Sequence, residues 1–177
     1  MARLSLTGVL LVGGASARFG SPKALAPAGP ESLAERGWRV LAEACDERLA
    51  VGKPGELALP FDVHDDGTDV RAPIAGVVAG LRAAAHDVAV FLPVDCPCIT
   101  AEALTALGEA CRDAAVTAQG PLPGAWAQSA LPVLERRLCE GRLALVGAYA
   151  ELDVARVDLD PALVADADTP DELARLM

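Results

Sequence analysis

Positive charge is scarce in this sequence. Fifteen Lys and Arg face 25 Asp and Glu, a formal charge of −10 with the two histidines neutral. A surface that negative repels phosphodiester backbones, and no basic stripe relieves it, so a broad nucleic-acid interface is excluded. Any phosphate chemistry must rest on a few local cations and on backbone amides. Aromatic residues are only 3% of the chain, which removes base-stacking platforms and leaves an aliphatic core. No apolar run reaches the ~18–20 residues of a membrane helix, so no membrane partner is expected. Histidine is limited to His64 and His86, both read as structural or surface residues. Cys96-Pro97-Cys98 is too tight for the usual CxxC spacing, which argues against a Cys/His metal centre.

The cysteines (Cys45, Cys96, Cys98, Cys111 and Cys139) number five. An odd count suits free thiols in a reducing compartment better than a disulfide framework, and the expected location is cytoplasmic. Arg3, the apolar stretch from Leu4 to Val12 and Ala15-Ser16-Ala17 imitate an export signal. Ser5 and Thr7 interrupt that stretch, and it reads better as a buried strand ending in a glycine turn.

What the chain does contain is 177 residues, 53% of them hydrophobic, enough for one well-packed domain spanning 1–177. Short β-like runs alternate with longer helical ones. This pattern predicts a three-layer α/β/α Rossmann-like fold around a mostly parallel sheet. Thr7 to Val12 and Val88 to Leu92 read as central strands, with shorter strands at Leu49–Val51, Phe61–His64, Ala115–Thr117 and near Val154–Asp158. Helices are expected over Ser32–Ala44, Pro73–Ala85, Ala101–Ala114 with Thr100 as N-cap, and Ser129–Gly141. Gly120 to Gly124 reads as an irregular Pro/Gly segment. A last helix starts with Thr169 as N-cap, Pro170 at its first position and Glu172 closing a capping box. Ala72, Gly76, Gly80 and Ala84 recur every four residues, a flat stripe that allows close approach to a sheet or a ligand.

Ligands of an open α/β sheet bind beyond the carboxyl ends of its strands. The first strand delivers Gly13-Gly14-Ala15-Ser16-Ala17-Arg18-Phe19-Gly20-Ser21-Pro22-Lys23 to that edge. Glycines let backbone N–H groups approach anionic oxygens, and Arg18 and Lys23 add mobile cations. The spacing fits neither a Walker A loop nor a dinucleotide fingerprint. Asp95 follows a buried strand, where a carboxylate is costly to desolvate unless it meets a cation. Asp168, next to Asp166 across one residue, is released from capping by Thr169 and can be a second hard-oxygen ligand. Asp65 ends another strand, although Asp65-Asp66-Gly67 is also an ordinary turn sequence. Loop cations and strand-end acids together suit Mg²⁺-assisted phosphoryl or nucleotidyl transfer.

Leu11-Val12-Gly13-Gly14-x-Ser16-x-Arg18-Phe19-Gly20-x-Pro22-Lys23 resembles the signature loop of the molybdenum cofactor nucleotidyltransferases, and of their guanylyltransferase branch most. Ala72-Pro73-Ile74-Ala75-Gly76, Phe91-Leu92-Pro93-Val94-Asp95-Cys96-Pro97 and Asp168-Thr169-Pro170-Asp171-Glu172-Leu173 are similar to three further motifs of that family, in order along the chain. The resemblance implies a fold of the nucleotide-diphospho-sugar transferase type. It implies GMP transfer from GTP to the molybdenum cofactor (molybdopterin-bound molybdenum) with release of pyrophosphate. It places Leu11, Val12, Gly13 and Gly14 against guanine and sugar and Lys23 on the triphosphate. Asp65 would match a nucleotide-contacting acid and Asp95 the Mg²⁺ ligand. Proteins that deliver the cofactor or mature molybdoenzymes are the expected transient partners. Three positions depart from the pattern. Pro22 stands where the guanylyl branch has Asp, which keeps a CTP-dependent cytidylyltransferase as the nearest alternative. Gly52 replaces an asparagine, and Ala72 replaces a glycine. A non-catalytic nucleotide-binding protein is the alternative of another class, and the joint presence of Arg18, Lys23, Asp95 and Asp168 speaks for catalysis.

Overall fold

The structure, a computed structural model, describes residues 4–13, 19–53 and 57–177. Strand β1 (Leu6–Leu11) is buried along its whole length. After it come a 3₁₀ turn (Lys23–Leu25), a small hairpin of β2 (Pro27–Ala28) and β3 (Glu31–Ser32), and helix α1 (Leu33–Ala44). Ser32 accepts from the Glu35 amide while the Glu35 carboxylate returns to the Ser32 N–H, a capping box that fixes where α1 begins. The chain continues through β4 (Glu47–Gly52), β5 (Val63–Asp65), α2 (Pro73–Ala83), β6 (Val88–Pro93) and α3 (Ala101–Ala110). It then runs through β7 (Ala114–Thr117), β8 (Gly120–Ala127), α4 (Leu131–Cys139), a 3₁₀ segment (Leu145–Glu151), β9 (Val154–Arg156) and α5 (Pro170–Leu176).

Apart from the small hairpin, the described strands form one sheet in the order β5-β4-β1-β6-β8-β7-β9. The pairs of β1 with β4 and β6, of β4 with β5 and of β7 with β9 are parallel, and β8 runs antiparallel to both neighbours. Strand alternation divides the core in two. Leu6, Leu10, Val88, Val90 and Leu92 face α1 and α3, while Val9, Leu11, Ala89 and Phe91 face α2 and α4. Both faces are thus covered, the condition under which parallel strands are stable. This is the expected three-layer architecture.

Two glycines of the small-residue stripe show why it exists. A Cβ on Gly80 would lie 2.6 Å from the Phe91 ring and 3.0 Å from Val9 Cγ1, and one on Gly76 would lie 2.8 Å from Leu11 Cδ2. The stripe seats α2 on β1 and β6 and brings its first turn over the end of β1.

The segment at Gly120–Gly124 differs from expectation: it is the first half of β8. Pro121 and Pro123 hide the strand pattern because proline suppresses both alternation and the ladder donor. Pairing of Val88–Phe91 with Gly124–Ala127 supplies the register that local sequence does not show. A Cβ at Gly124 would run into the Pro121 carbonyl oxygen, so glycine is required there. Helix α3 ends at Ala110 rather than Ala114, because Ala114 already pairs with Val154 and Trp126 in the sheet. None of the five cysteines is in a disulfide. No helix of the described residues is long and apolar enough to cross a membrane.

Candidate active site

The carboxyl ends of β1, β4 and β6 open onto a cavity of about 740 Å³. Parallel strands bring their ends to one edge, and the chain must turn there, so backbone amides and short polar side chains collect beside an apolar floor. Leu11, Val12 and Gly13 from the end of β1, Gly52 ending β4 and Lys53 after it, and Asp95 after β6 all line this space.

Lys23 enters from the 3₁₀ turn, anchored by the buried Ala24. Its Nζ lies 2.8 Å from Asp168 Oδ1 and 3.2 Å from Asp95 Oδ2. These residues are 72 and 145 positions away in the chain. The C-terminal segment is held against β6 through the backbone: the Ala167 N–H donates to the Asp95 carbonyl at 2.8 Å. Thr169 caps α5, with Glu172 completing the box, and this leaves the Asp168 carboxylate turned toward the lysine. Asp166 joins the group, with carboxylate oxygens of Asp95, Asp166 and Asp168 all within 4.8 Å of one another. Asp166 lines the same cavity.

Burial pushes the Asp95 carboxyl above its ordinary range, against the opposing pull of the Lys23 charge, and the charges of Asp166 and Asp168 push the same way as burial. Burial also works against the Lys23 charge, but the hydrogen bonds and charges of Asp168 and Asp95 outweigh it and hold the ammonium above the ordinary lysine value. A carboxylate cluster kept partly out of water and already in contact with a cation is poised for a further hard cation or an anionic ligand. The donor set is oxygen only, which fits a hard divalent ion such as Mg²⁺ or Mn²⁺ and not a thiolate- or imidazole-seeking metal. The nearby Cys96 thiol is pushed far up, by burial first and by Asp95 second, so it is inert at neutral pH.

Of the residues that the sequence singles out, Leu11, Val12, Gly13, Lys23, Asp95 and Asp168 share this cavity. Gly14 and Arg18 lie outside the described residues. Asp65 does not line the cavity: it is exposed, and its Oδ1 accepts from the Gly67 N–H at 2.9 Å. Its neighbour Asp66 lines the cavity instead. Side chains alternate along an extended chain, so the residue after Asp65 faces the other way. Asp66 pairs with Lys53, Nζ to Oδ1 at 2.5 Å, and the same ammonium donates to the Thr68 carbonyl. Neither residue is prominent in sequence, although the strand-end position that draws attention to Asp65 applies equally to Lys53 after β4. Trp126 is fully buried, and Gln128 Nε2 donates to the Leu81 carbonyl at 2.6 Å. Gly120, Pro121 and Leu122 border the cavity, as do Leu143–Val146 at the start of the 3₁₀ segment.

This combination of a mostly parallel sheet, a cavity at the carboxyl ends of β1, β4 and β6, and a lysine shared by an acid after β6 and an acid before α5 defines a Rossmann-like protein of the nucleotide-diphospho-sugar transferase type. The chain belongs to the family of the MobA-like NTP transferase domain, whose model matches residues 8–152. It is 35% identical over 183 residues to the probable molybdenum cofactor guanylyltransferase of Deinococcus radiodurans, covering 98% of this chain and 94% of that one. Among solved structures, molybdopterin-guanine dinucleotide biosynthesis protein A from Archaeoglobus fulgidus superposes with a TM-score of 0.81 at 23% identity, over 96% of each chain. The 2-C-methyl-D-erythritol 4-phosphate cytidylyltransferase of Thermus thermophilus shares the fold, with a TM-score of 0.74 at 19% identity over 95% of each chain.

Proposed function

We infer that this protein is a molybdenum cofactor guanylyltransferase, which transfers GMP from GTP to the molybdenum cofactor and releases pyrophosphate. The observation that carries the chemistry is the Lys23 ammonium held between Asp95 and Asp168 on the wall of the cavity. The full-length relationship to a relative named as a guanylyltransferase supports the choice of nucleotide and acceptor.

In this reading Leu11, Val12, Gly13 and Gly14 lie along the nucleoside, and Arg18 and Lys23 contact the triphosphate. Asp95 and Asp168, with Asp166 beside them, would hold Mg²⁺, which supplies neutralisation of the polyphosphate charge. The reaction is an in-line displacement at the α-phosphorus: an acceptor phosphate oxygen forms the new P–O bond as the bond to pyrophosphate breaks. Little covalent chemistry falls to side chains. The protein positions both substrates and sets fixed cations where negative charge grows. Lys23 suits this because its ammonium is already oriented by two acids and needs no reorganisation during the reaction. The cavity of about 740 Å³ is large enough for two substrates. The pterin is assigned to the wall formed by Gly120–Leu122 and Leu143–Val146, lining segments that carry no charged side chain. Such an enzyme works in the cytoplasm, where five reduced thiols are expected to persist.

The test is pyrophosphate release with molybdenum cofactor supplied and GTP or CTP offered in parallel. GTP-dependent turnover that requires the acceptor is expected. Equal or CTP-preferring turnover would overturn the guanylyl assignment, and nucleotide binding without turnover would leave a binding protein in its place.

A further inference from the structure

Asp95 sits in a turn that is held from several sides. The Val94 N–H donates to the Leu11 carbonyl at 3.2 Å, the Cys96 N–H to the Pro93 carbonyl at 3.3 Å, and the Ala167 N–H to the Asp95 carbonyl at 2.8 Å. The carbonyl of Pro97, a buried residue, is taken by a side chain instead: Arg36 Nε donates to it at 2.6 Å. Arg36 does not line the cavity, so any influence it has on the reaction passes through that turn.

The same helix carries the segment that presents Lys23. The Ala26 N–H donates to the Lys23 carbonyl at 2.9 Å, and the N–H of Leu33, the first residue of α1, donates to the Ala26 carbonyl at 2.9 Å. Arg36 stands about one turn further along. The start of α1 therefore grips the Lys23 segment by a backbone amide and the Asp95 turn by a guanidinium. Glu31 of β3 lies 3.7 Å from Arg36 Nη1 and is itself held by Arg39 at 2.7 and 3.3 Å. With the Arg36 side chain 28% exposed, an ion pair that long adds little to stability. The contact that matters is the short bond to Pro97, because a buried carbonyl left without its donor is costly enough for the turn to shift and find another.

Resting on the guanylyltransferase reading above, we propose that Arg36 is a positioning residue for the transfer: α1 is a rigid base from which the Leu33 amide fixes the Lys23 segment and the Arg36 guanidinium fixes the Asp95 turn. The Lys23–Asp95 separation of 3.2 Å is then preset by groups outside the cavity. Opposite charges attract without help, but bound substrates pull on both of them, and the pair alone does not keep its geometry. A brace that touches no substrate keeps it, and groups fixed in advance need no reordering during the reaction. Two substitutions separate the donor from the charge. Arg36→Gln retains an N–H donor on Cδ, where arginine carries Nε, and gives up the charge facing Glu31. Arg36→Met retains an unbranched stem and gives up both.

The experiment compares the full chain as wild type, Arg36→Met and Arg36→Gln in two measurements. The first is amide hydrogen exchange followed by NMR without nucleotide, metal or acceptor. Arg36→Met should speed exchange of the Cys96 and Ala167 amides about tenfold or more, while the β1 amides, which report global opening, stay as in wild type. The second is steady-state pyrophosphate release with GTP, Mg²⁺ and molybdenum cofactor. Arg36→Met should lower kcat about 10–100-fold and leave KM for GTP within about threefold, and Arg36→Gln should restore both exchange and kcat to within about threefold of wild type. If Arg36 only stabilises the fold, Arg36→Met speeds exchange in β1 as much as at Cys96 and Ala167 and leaves kcat unchanged; that outcome overturns the proposal and leaves the guanylyltransferase reading intact. Local exchange that quickens with no loss of kcat overturns it as well, as does an Arg36→Gln variant no better than Arg36→Met. A wild type that releases no pyrophosphate from GTP overturns the guanylyltransferase reading, and the proposal with it.

Discussion

Replacing Lys23 by Met separates the chemical role of this lysine from its structural one. Met keeps the aliphatic stem and removes the ammonium that lies 2.8 Å from Asp168 and 3.2 Å from Asp95. One such contact is worth about 4 kcal/mol at an effective dielectric of about 20, before desolvation is subtracted. Asp168 is 42% exposed and Asp95 25%, so water screens much of this, and removing Lys23 also spares its own burial. The net cost to the fold is about 1–2 kcal/mol, or roughly 2–8 °C in Tm for a chain of this size. The cost to catalysis is larger, because a fixed charge aimed at a developing anion contributes about 10²–10³ in kcat. A third consequence follows from mass action. With the ammonium gone, three carboxylates face each other within 4.8 Å, and a divalent ion that binds only the folded protein should raise Tm more in the variant than in wild type. Pyrophosphate release and thermal unfolding with and without Mg²⁺ measure all of this on the same preparation. A variant within about threefold of wild-type kcat/KM, with an unchanged Mg²⁺-induced rise in Tm, would refute the assignment of Lys23 to the reacting phosphates.

Three further outcomes are expected. Gly80→Ala drives a methyl into the Phe91 ring at 2.6 Å, overpacking that should cost about 1–3 kcal/mol and lower the denaturant midpoint without changing the m-value; an unchanged midpoint would mean that α2 does not sit this close to the sheet. Arg137, nearly fully buried, donates to Glu151 at 3.2 Å and to the Ala144 carbonyl at 3.4 Å and so holds the 3₁₀ segment that borders the cavity. Arg137→Met should therefore raise KM for the molybdenum cofactor more than KM for GTP, and equal effects on both would place that segment away from the acceptor. The third concerns acid stability. Asp113 accepts from Ser129 Oγ at 2.5 Å and from the Asp153 N–H at 2.8 Å, and these bonds, the serine's first, hold its carboxyl below the ordinary value. A depressed folded value means stability that is complete above the unfolded pKa of about 4 and is lost as pH falls through the lower folded one. Asp113→Asn should flatten the stability–pH slope in that acid window, measured by urea unfolding at pH 3 and pH 6, and an identical slope would show that Asp113 carries no linkage.

Much of the fold is decided locally and was therefore legible. Continuous apolar runs mark β1 and β6, because only strands buried on both faces tolerate them. The caps at Thr100 and Thr169 start their helices where the sequence places them, since a side-chain hydroxyl satisfies an amide three residues on whatever the rest of the chain does. Lys23, Asp95 and Asp168 are likewise marked by their chemistry, as charges set beside apolar segments. Other features depend on partners distant in the chain. β8 is a strand because β6 and β7 offer it ladder partners, although Pro121 and Pro123 disguise it. Asp66 rather than Asp65 faces the cavity because the pairing of Gly52 with Asp65 sets which way each successive side chain points. Lys53 gains significance only from meeting Asp66 across 13 residues of chain. Propensity, capping and desolvation act over a few residues, so local sequence is enough to mark which groups could do chemistry and which segments are buried. The tertiary structure alone decided which of those groups meet, because strand register and sheet order bring residues 72 and 145 positions apart onto one ammonium.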